Sequence, residues 1–127
     1  MSKKAKGDRR ERQCASILFK SGWEAHKKVN NRYDSGDIFG IFDIIAVKKG
    51  EKPLFIQVKS NRTSGALKEI NVKNFVDTET MNVQVWVAHD NQGWRIKKLE
   101  DDGWTQILDE RDRSCNFGEA TVELFSN

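Results

Sequence analysis

The sequence predicts a single α/β domain in which helices flank a mixed β-sheet. Two apolar runs, residues 42–47 and 54–59, are rich in β-branched and aromatic residues and are separated by the turn-forming stretch 48–53. This pattern predicts a β-hairpin. A second helical pattern separates the run at 54–59 from a strong strand pattern at 83–88. A helix in that place permits a right-handed crossover, which would make those two strands parallel.

The first helical pattern covers residues 8–21. Cys14, Ala15 and Leu18 form an apolar stripe, and Gly22 follows as a stop signal. Glu11 belongs to the same stripe, because it stands three, four and seven residues before those positions. We therefore expect a carboxylate on the inward face of this helix. From the residues alone, a surface glutamate paired with a neighbouring arginine is the better-supported alternative.

The remaining elements follow from shorter patterns. We expect a first strand over residues 23–29, a polar loop over 30–36, and a second helix from 66 to about 78 with Thr63 or Ser64 as its N-cap. An edge-like strand with interleaved basic residues is expected at 94–99, and a short strand at 104–108. Residues 1–6 are expected to form a basic flexible arm, and residues 109–127 an acidic C-terminal segment of the single domain 1–127.

Charge and composition narrow the class of protein. The chain has 127 residues and a net charge of +3, but residues 1–12 carry +4 and residues 99–127 carry −6. A basic front favours a polyanion such as nucleic acid, although an ordinary solvated surface fits equally well. Cys14 and Cys115 lack metal-binding spacing, which argues against a disulfide framework or zinc site. No long apolar run or signal-peptide pattern is present, so we expect a cytoplasmic protein without membrane contact.

Polar residues interrupt the two apolar runs of the hairpin. Asp43 lies inside the first run, and Gln57 and Lys59 project from one face at the end of the second. A polar group in a buried strand costs roughly 2–7 kcal/mol without a hydrogen bond, so three side by side suggest a site. The Asp43 carboxylate, the Gln57 amide oxygen and the Val58 carbonyl are suitable ligands for a hard divalent cation. Lys59 can then reach a water molecule held at that cation.

Two acids outside the hairpin can join this group, and each member has a structural alternative. Glu11 reaches the same place if the first helix packs over the sheet, and Asp37 can approach from the preceding loop. Asp43 as a hydrogen-bonded buried acid, and Lys59 as a solvated strand end, are weaker alternatives than the site. Asp37 as a turn cap is as well supported as a site role. His26 and His89 are expected to be surface or packing residues.

The pattern of Phe42-Asp43 followed by Gln57-Val58-Lys59 resembles the PD-(D/E)xK nuclease signature. Glu11, within residues 6–12, is similar to the helix acid of archaeal Holliday junction resolvases and related phage and archaeal nucleases. The segment 37–43 is also similar to a pattern of that group. The resemblance covers roughly residues 6–60, and it implies a restriction-endonuclease-like fold with an αβββαβ core.

The resemblance also implies roles for individual residues. Asp43 would be the metal-binding acid, Lys59 the catalytic lysine, and Glu11 a holder of the metal or its waters. Gln57 stands where the family has Asp or Glu, so one negative charge is missing and Mg²⁺ should be held more weakly. Ser35 loosely matches a serine that the resolvases place before the second strand. The implied catalytic residues are Glu11, Asp43, Gln57 and Lys59; the implied metal ligands are Glu11, Asp43, Gln57, the Val58 carbonyl and Asp37.

The resemblance implies a Mg²⁺-dependent DNA endonuclease, with Mn²⁺ able to substitute. A homodimer acting on branched DNA such as a Holliday junction is the leading hypothesis. A catalytically inactive nucleic-acid-binding module, which Gln57 favours, and a restriction or repair nicking nuclease are the alternatives. Residues expected to contact DNA phosphates are Arg9, Arg10, Arg12, Arg32, Ser35, Lys48, Lys49, Arg62 and Lys68.

Overall fold

The computed structural model describes residues 3–28 and 37–112. Two helices and six strands follow one another along this part of the chain. In chain order they are α1 (Lys3–Lys20), β1 (Glu24–Lys27), β2 (Ile44–Val47), β3 (Leu54–Ser60), α2 (Ser64–Asn71), β4 (Asn82–His89), β5 (Gly93–Glu100) and β6 (Gly103–Asp109).

The strands form one mixed sheet in the order β1-β2-β3-β4-β5-β6. β3 and β4 are parallel, and the other neighbouring pairs are antiparallel. Because α2 connects β3 to β4, the chain can return to the starting end of the sheet before β4 begins. The predicted mixed sheet, its parallel pair and its flanking helices are therefore confirmed. Among the helices of the described ranges, none is long and apolar enough to cross a membrane.

The two helices cover opposite faces of the sheet. Leu54 and Ile56 of β3 belong to a buried cluster with Leu18 of α1. Phe55, which points the other way, belongs to a second buried cluster with Ile70 of α2. β4 is buried along almost its whole length, as expected of a strand covered on both faces. The site residues of β3 thus lie between a face covered by α1 and a face covered by α2.

Both helices differ in length from the prediction. α1 begins at Lys3, so residues 3–6 are helical and the prediction of a basic arm is wrong for them. Ion pairs from Lys6 and Arg10 to Asp90, at 2.8 and 3.0 Å, tie these first turns to the turn after β4. α2 ends at Asn71 instead of continuing to about residue 78. Successive tight turns replace the helix there, beginning with the hydrogen bond from the Lys73 N–H to the Ile70 carbonyl.

The strand boundaries also required correction. β1 covers only residues 24–27, and β2 begins at Ile44, so Asp43 precedes its strand. β5 is not an edge strand, because β6 pairs with it over residues 103–109 and takes the edge position. Thr63 is the N-cap of α2, as one of the predicted alternatives had it, but its side chain makes no capping hydrogen bond. Arg32, Ser35 and Cys115 lie outside the described residues.

We expect the Leu18→Ala substitution to lower the free energy of unfolding by about 2–5 kcal/mol, because it removes buried methyl groups between α1 and the sheet. Leu18 is 0% exposed, whereas its neighbour Phe19 is 52% exposed and provides the matched control. Phe19→Ala should cost about 0.5 kcal/mol or less. Guanidinium chloride unfolding measures both values, and equal losses would contradict this packing of α1.

Candidate metal centre

A tight turn delivers Asp43 to the start of β2. Ile38 and Phe42 exchange backbone hydrogen bonds of 2.7 and 2.9 Å across this turn. Two of the three residues between them have positive φ, 54° at Phe39 and 78° at Gly40. Such φ values suit glycine but are uncommon for other residues, so the turn depends on its other contacts. The Phe39 ring packs against Phe55, with ring centroids 6.2 Å apart, and this contact holds the turn on the sheet.

The Asp43 carboxylate binds to the backbone of β3. Its Oδ2 accepts a hydrogen bond of 2.7 Å from the Val58 N–H, and the Asp43 N–H donates to the Ile56 carbonyl at 2.9 Å. Asp43 is buried. The carboxylate is therefore fixed beside the peptide unit that joins Gln57 to Val58, one residue before Lys59.

Glu11 of α1 lies close enough to Asp43 for the two charges to interact. It is 6% exposed, and its Oε1 is buried without a hydrogen-bond partner among the described residues. Burial, and then the negative charge of Asp43, raise the pKa of Glu11 from 4.5 to about 7. Two neighbouring buried carboxylates, one with an unpartnered oxygen, form an arrangement that a cation would stabilise.

Gln57 presents a second buried oxygen. Its side chain is 5% exposed, and its Nε2 donates to Oε2 of Glu69 on α2 at 3.5 Å. Its Oε1 has no hydrogen-bond partner within the residues that the structure describes. Lys59 is half-buried, forms no ion pair in the described ranges, and lines a pocket of about 590 Å³.

Lys28 belongs to the same cluster as Asp43 and Asp37, although no sequence pattern indicated it. Its Nζ lies 2.7 Å from Oδ1 of Asp43 and 2.7 Å from Oδ1 of Asp37. Burial lowers the pKa of Lys28, but the hydrogen bonds to Asp37 and Asp43 outweigh burial and raise the pKa above its ordinary value. Lys27 pairs with Ile44 in the sheet, so Lys28 comes opposite Asp43. Only knowledge of this β1–β2 register could have identified Lys28 as a partner of Asp43 from the sequence.

The donor atoms of the cluster fit a hard divalent cation. The described residues contain no group of three His, Cys, Asp or Glu side chains arranged to hold a metal. An amide at position 57 explains this result, because Gln57 contributes oxygen without charge. Carboxylate, amide and backbone oxygens are the ligands that Mg²⁺ and Ca²⁺ accept, and the unpartnered Glu11 and Gln57 oxygens suit that role. Cys14 is not a ligand candidate, because burial, followed by the charges of Asp43 and Glu11, raises the pKa of its thiol well above the usual value.

A basic rim lies beside the cluster. Lys6 and Arg10 of α1 line the pocket of about 590 Å³ together with Lys59 and Arg62. Asp90 fixes this rim, because it binds Lys6 and Arg10 and also accepts a hydrogen bond of 3.2 Å from Nδ2 of Asn61. No sequence pattern indicates this role of Asp90, because its contacts with α1 are remote in sequence.

The other predicted DNA contacts are more scattered. Lys48 and Lys49 lie in the β2–β3 turn, at the opposite end of the hairpin from Asp43. Lys48 donates instead to the Ser21 carbonyl at 3.1 Å. Arg12 is exposed and lines a separate groove between α1 and β1. Arg9 is half-buried on α1, and Lys68 is exposed on α2.

The fold and the cluster together define a nuclease-type domain with a restriction-endonuclease-like fold. The family model for archaeal Holliday junction resolvases (Hjc) matches residues 2–101. The chain therefore belongs to the Hjc family of structure-selective, metal-dependent endonucleases, as the sequence resemblance implied.

One solved structure shows the same fold. It is Hjc of Archaeoglobus fulgidus, a Holliday junction resolvase from an archaeal hyperthermophile, which matches with a TM-score of 0.52 at 22% sequence identity. The match covers 82% of this chain and 88% of the A. fulgidus chain. No protein with a curated description matches the sequence significantly.

We expect the metal-free protein to lose stability as the pH rises from 4.5 towards 7. The folded protein holds the Glu11 proton up to about pH 7, whereas the unfolded chain releases it near 4.5. The contribution of Glu11 to stability is therefore fully present below pH 4.5 and is lost through this window, by roughly 3 kcal/mol. Urea unfolding in the presence of a chelator, repeated across this pH range, measures the loss.

The Glu11→Gln variant should lack this contribution to the pH dependence, because it cannot ionise. The exposed Glu24 of β1 provides the control, and Glu24→Gln should keep the wild-type profile. Identical profiles for Glu11→Gln and the wild type would contradict the assigned burial of Glu11.

Proposed function

We propose that this protein resolves four-way DNA junctions with Mg²⁺, and that Mn²⁺ can substitute. The observations that carry the metal assignment are the buried, unpartnered oxygens of Glu11 and Gln57 and the Asp43 carboxylate that is fixed on the β3 backbone at the residue after Gln57. Family membership supports a nuclease but does not identify the ion. We place the reaction inside the cell, where recombining DNA is found.

The roles of the residues follow from their positions. Glu11, Asp43, Gln57 and the Val58 carbonyl would hold the ion, which would supply positive charge to the phosphate as negative charge develops during hydrolysis. Asp43 is oriented for this role by the Val58 N–H and by Lys28. Lys59, one residue further along β3, would position the water that attacks the phosphodiester in line.

The basic pocket would bind the DNA backbone. Lys6, Arg10 and Arg62 surround Lys59 there, so a phosphate bound in the pocket would lie beside the catalytic lysine. Contacts to phosphates carry no base sequence, which fits recognition of DNA shape at a branch point. We also propose the other phosphate contacts that the sequence suggests, including those at Arg32 and Ser35. These contacts would form where the shape of a branched DNA brings its backbone to the residues.

A catalytically inactive DNA-binding module is the second candidate, and one observation favours it. Gln57 removes an acid, and no group of three acidic, His or Cys ligands exists within the described residues. Against this, an inactive module has no need to keep the Glu11 and Gln57 oxygens buried and unpartnered, because each costs stability. A nuclease that nicks DNA during restriction or repair would use the same site. Only the choice of DNA substrate distinguishes it from a junction resolvase.

We expect Asp43→Asn and Lys59→Ala to reduce cleavage of a four-way junction at least about 100-fold, because each removes a group that acts on the ion or the water. Binding of the junction should remain within about threefold of the wild type. Asp102→Asn, in the exposed β5–β6 turn, is the control and should cleave normally. Gel assays with linear, nicked, flapped and four-way DNA, with and without Mg²⁺, measure cleavage and substrate choice.

Cleavage that persists in Asp43→Asn would contradict the assigned site. Junction binding without cleavage by the wild type, in Mg²⁺ or Mn²⁺, would favour the inactive module. Preference for nicked or linear DNA over the junction would favour the nicking nuclease.

We also propose that the protein acts as a homodimer, because a junction with two-fold symmetry requires two cuts. An exposed aromatic pair on the α2 side of the sheet is the candidate contact. Phe39 and Phe75 are 62% and 42% exposed, and their ring centroids lie 5.6 Å apart. Val72, at the end of α2, is 78% exposed. Large apolar side chains grouped on a surface are typical of subunit contacts.

The Phe75→Asp variant should therefore weaken the dimer, since a charge would be buried without a partner. Sedimentation velocity at micromolar concentration should show mainly monomer, and junction cleavage should yield single nicks instead of paired cuts. Phe19→Asp introduces the same charge at an exposed phenylalanine of α1 and should keep the dimer. A wild-type protein that is monomeric both alone and on the junction would contradict the proposal.

A further inference from the structure

Gln57 raises a problem for metal binding that a carboxylate would not. The two oxygens of a carboxylate are equivalent, so either can face an ion. A glutamine side chain has one oxygen and one NH₂ group, and turning the amide over would place the NH₂ group where the ligand oxygen is needed. An amide ligand therefore needs a neighbour that sets its orientation.

Glu69 is that neighbour. The Gln57 Nε2 lies 3.5 Å from the Glu69 Oε2. An ionised carboxylate accepts hydrogen bonds and cannot donate them, so only the NH₂ group of Gln57 can face Glu69 favourably. The Gln57 Oε1 must then face away from Glu69, and this is the oxygen that is buried without a hydrogen-bond partner in the described part of the chain.

The packing of α2 fixes the position of Glu69. Ala66 and Ile70, on the same short helix, are fully buried in the cluster that contains Phe55 of β3. Phe55 and Gln57 stand two residues apart in the strand and point to the same face. The helix therefore brings Glu69 to Gln57, while Glu69 itself remains exposed to solvent.

We propose that Glu69 is a positioning residue that holds the Gln57 amide with its oxygen towards the metal. This inference rests on the proposed metal site and adds a residue that does not touch the ion. The hydrogen bond to a charged acceptor also polarises the amide, which makes its oxygen a stronger ligand. The α2 carboxylate thus compensates in part for the acid that is missing at position 57.

The test measures Mn²⁺ binding directly. Electron paramagnetic resonance reports free Mn²⁺ in a titration of the full chain bound to a four-way junction, in a Lys59→Ala background that prevents cleavage. Glu69→Ala should lower the Mn²⁺ affinity about tenfold, as expected for the loss of a group that orients a ligand. Glu79→Ala, at an exposed glutamate of the turns before β4, is the matched control and should leave the affinity unchanged.

Two further variants separate orientation from charge. Glu69→Gln removes the charge but keeps an oxygen that can accept from the Gln57 NH₂ group, so it should lose less affinity than Glu69→Ala, about threefold or less. In a Gln57→Glu background the ligand oxygens are equivalent, so Glu69→Ala should change the affinity less than about twofold. If Glu69→Ala and Glu69→Gln lower the Mn²⁺ affinity equally, both with Gln57 and with Gln57→Glu, the inference is overturned.

Asp43→Ala distinguishes failure of this inference from failure of the proposed function. If Asp43→Ala abolishes Mn²⁺ binding while Glu69→Ala has no effect, only the role of Glu69 is wrong. If Asp43→Ala binds Mn²⁺ like the parent protein, or if the parent itself binds none, the metal site is wrong and the inference falls with it.

Discussion

The hydrogen bond from the Val58 N–H to the Asp43 carboxylate is the contact on which the site depends. Regular pairing of β2 with β3 begins at Ile44, so Asp43 lies just before the ladder and its side chain takes the place of a backbone acceptor. The tight turn closed by Ile38 and Phe42 makes this possible, because Asp43 is the residue that follows it. One carboxylate thus completes the strand pairing and anchors the charged cluster.

The cluster is a balance of buried charges contributed by several elements. Glu11 comes from α1, Asp43 from the start of β2, and Lys28 from the end of β1. Burial, and then the negative charge of Asp43, raise the pKa of Glu11, and the positive charge of Lys28 opposes that rise. A cation held beside Glu11 would compete with protons for the carboxylate, so metal affinity would depend on pH.

Contacts remote in sequence also organise the surface around the cluster. Asp90, in the turn after β4, connects the first turns of α1 with Asn61 after β3. On the other face, α2 brings Glu69 to Gln57. Both acids support neighbouring residues, and neither belongs to a recognisable short motif. The family pattern is therefore only part of the site, and the supporting residues come from elements packed on both faces of the sheet.

The sequence by itself determined the mixed α/β sheet, the parallel β3–β4 pair and the family. These follow from local periodicity and from residues close together in a motif, which a single sequence displays directly. Only the tertiary structure decided the start of α1 at Lys3, the early end of α2, the interior position of β5 and the partners of Asp43. The start of α1, the position of β5 and the partners of Asp43 depend on Asp90, β6 and Lys28, whose contacts arise from strand register and packing between distant segments. No local pattern records such contacts, because their free energy exists only once the chain has folded.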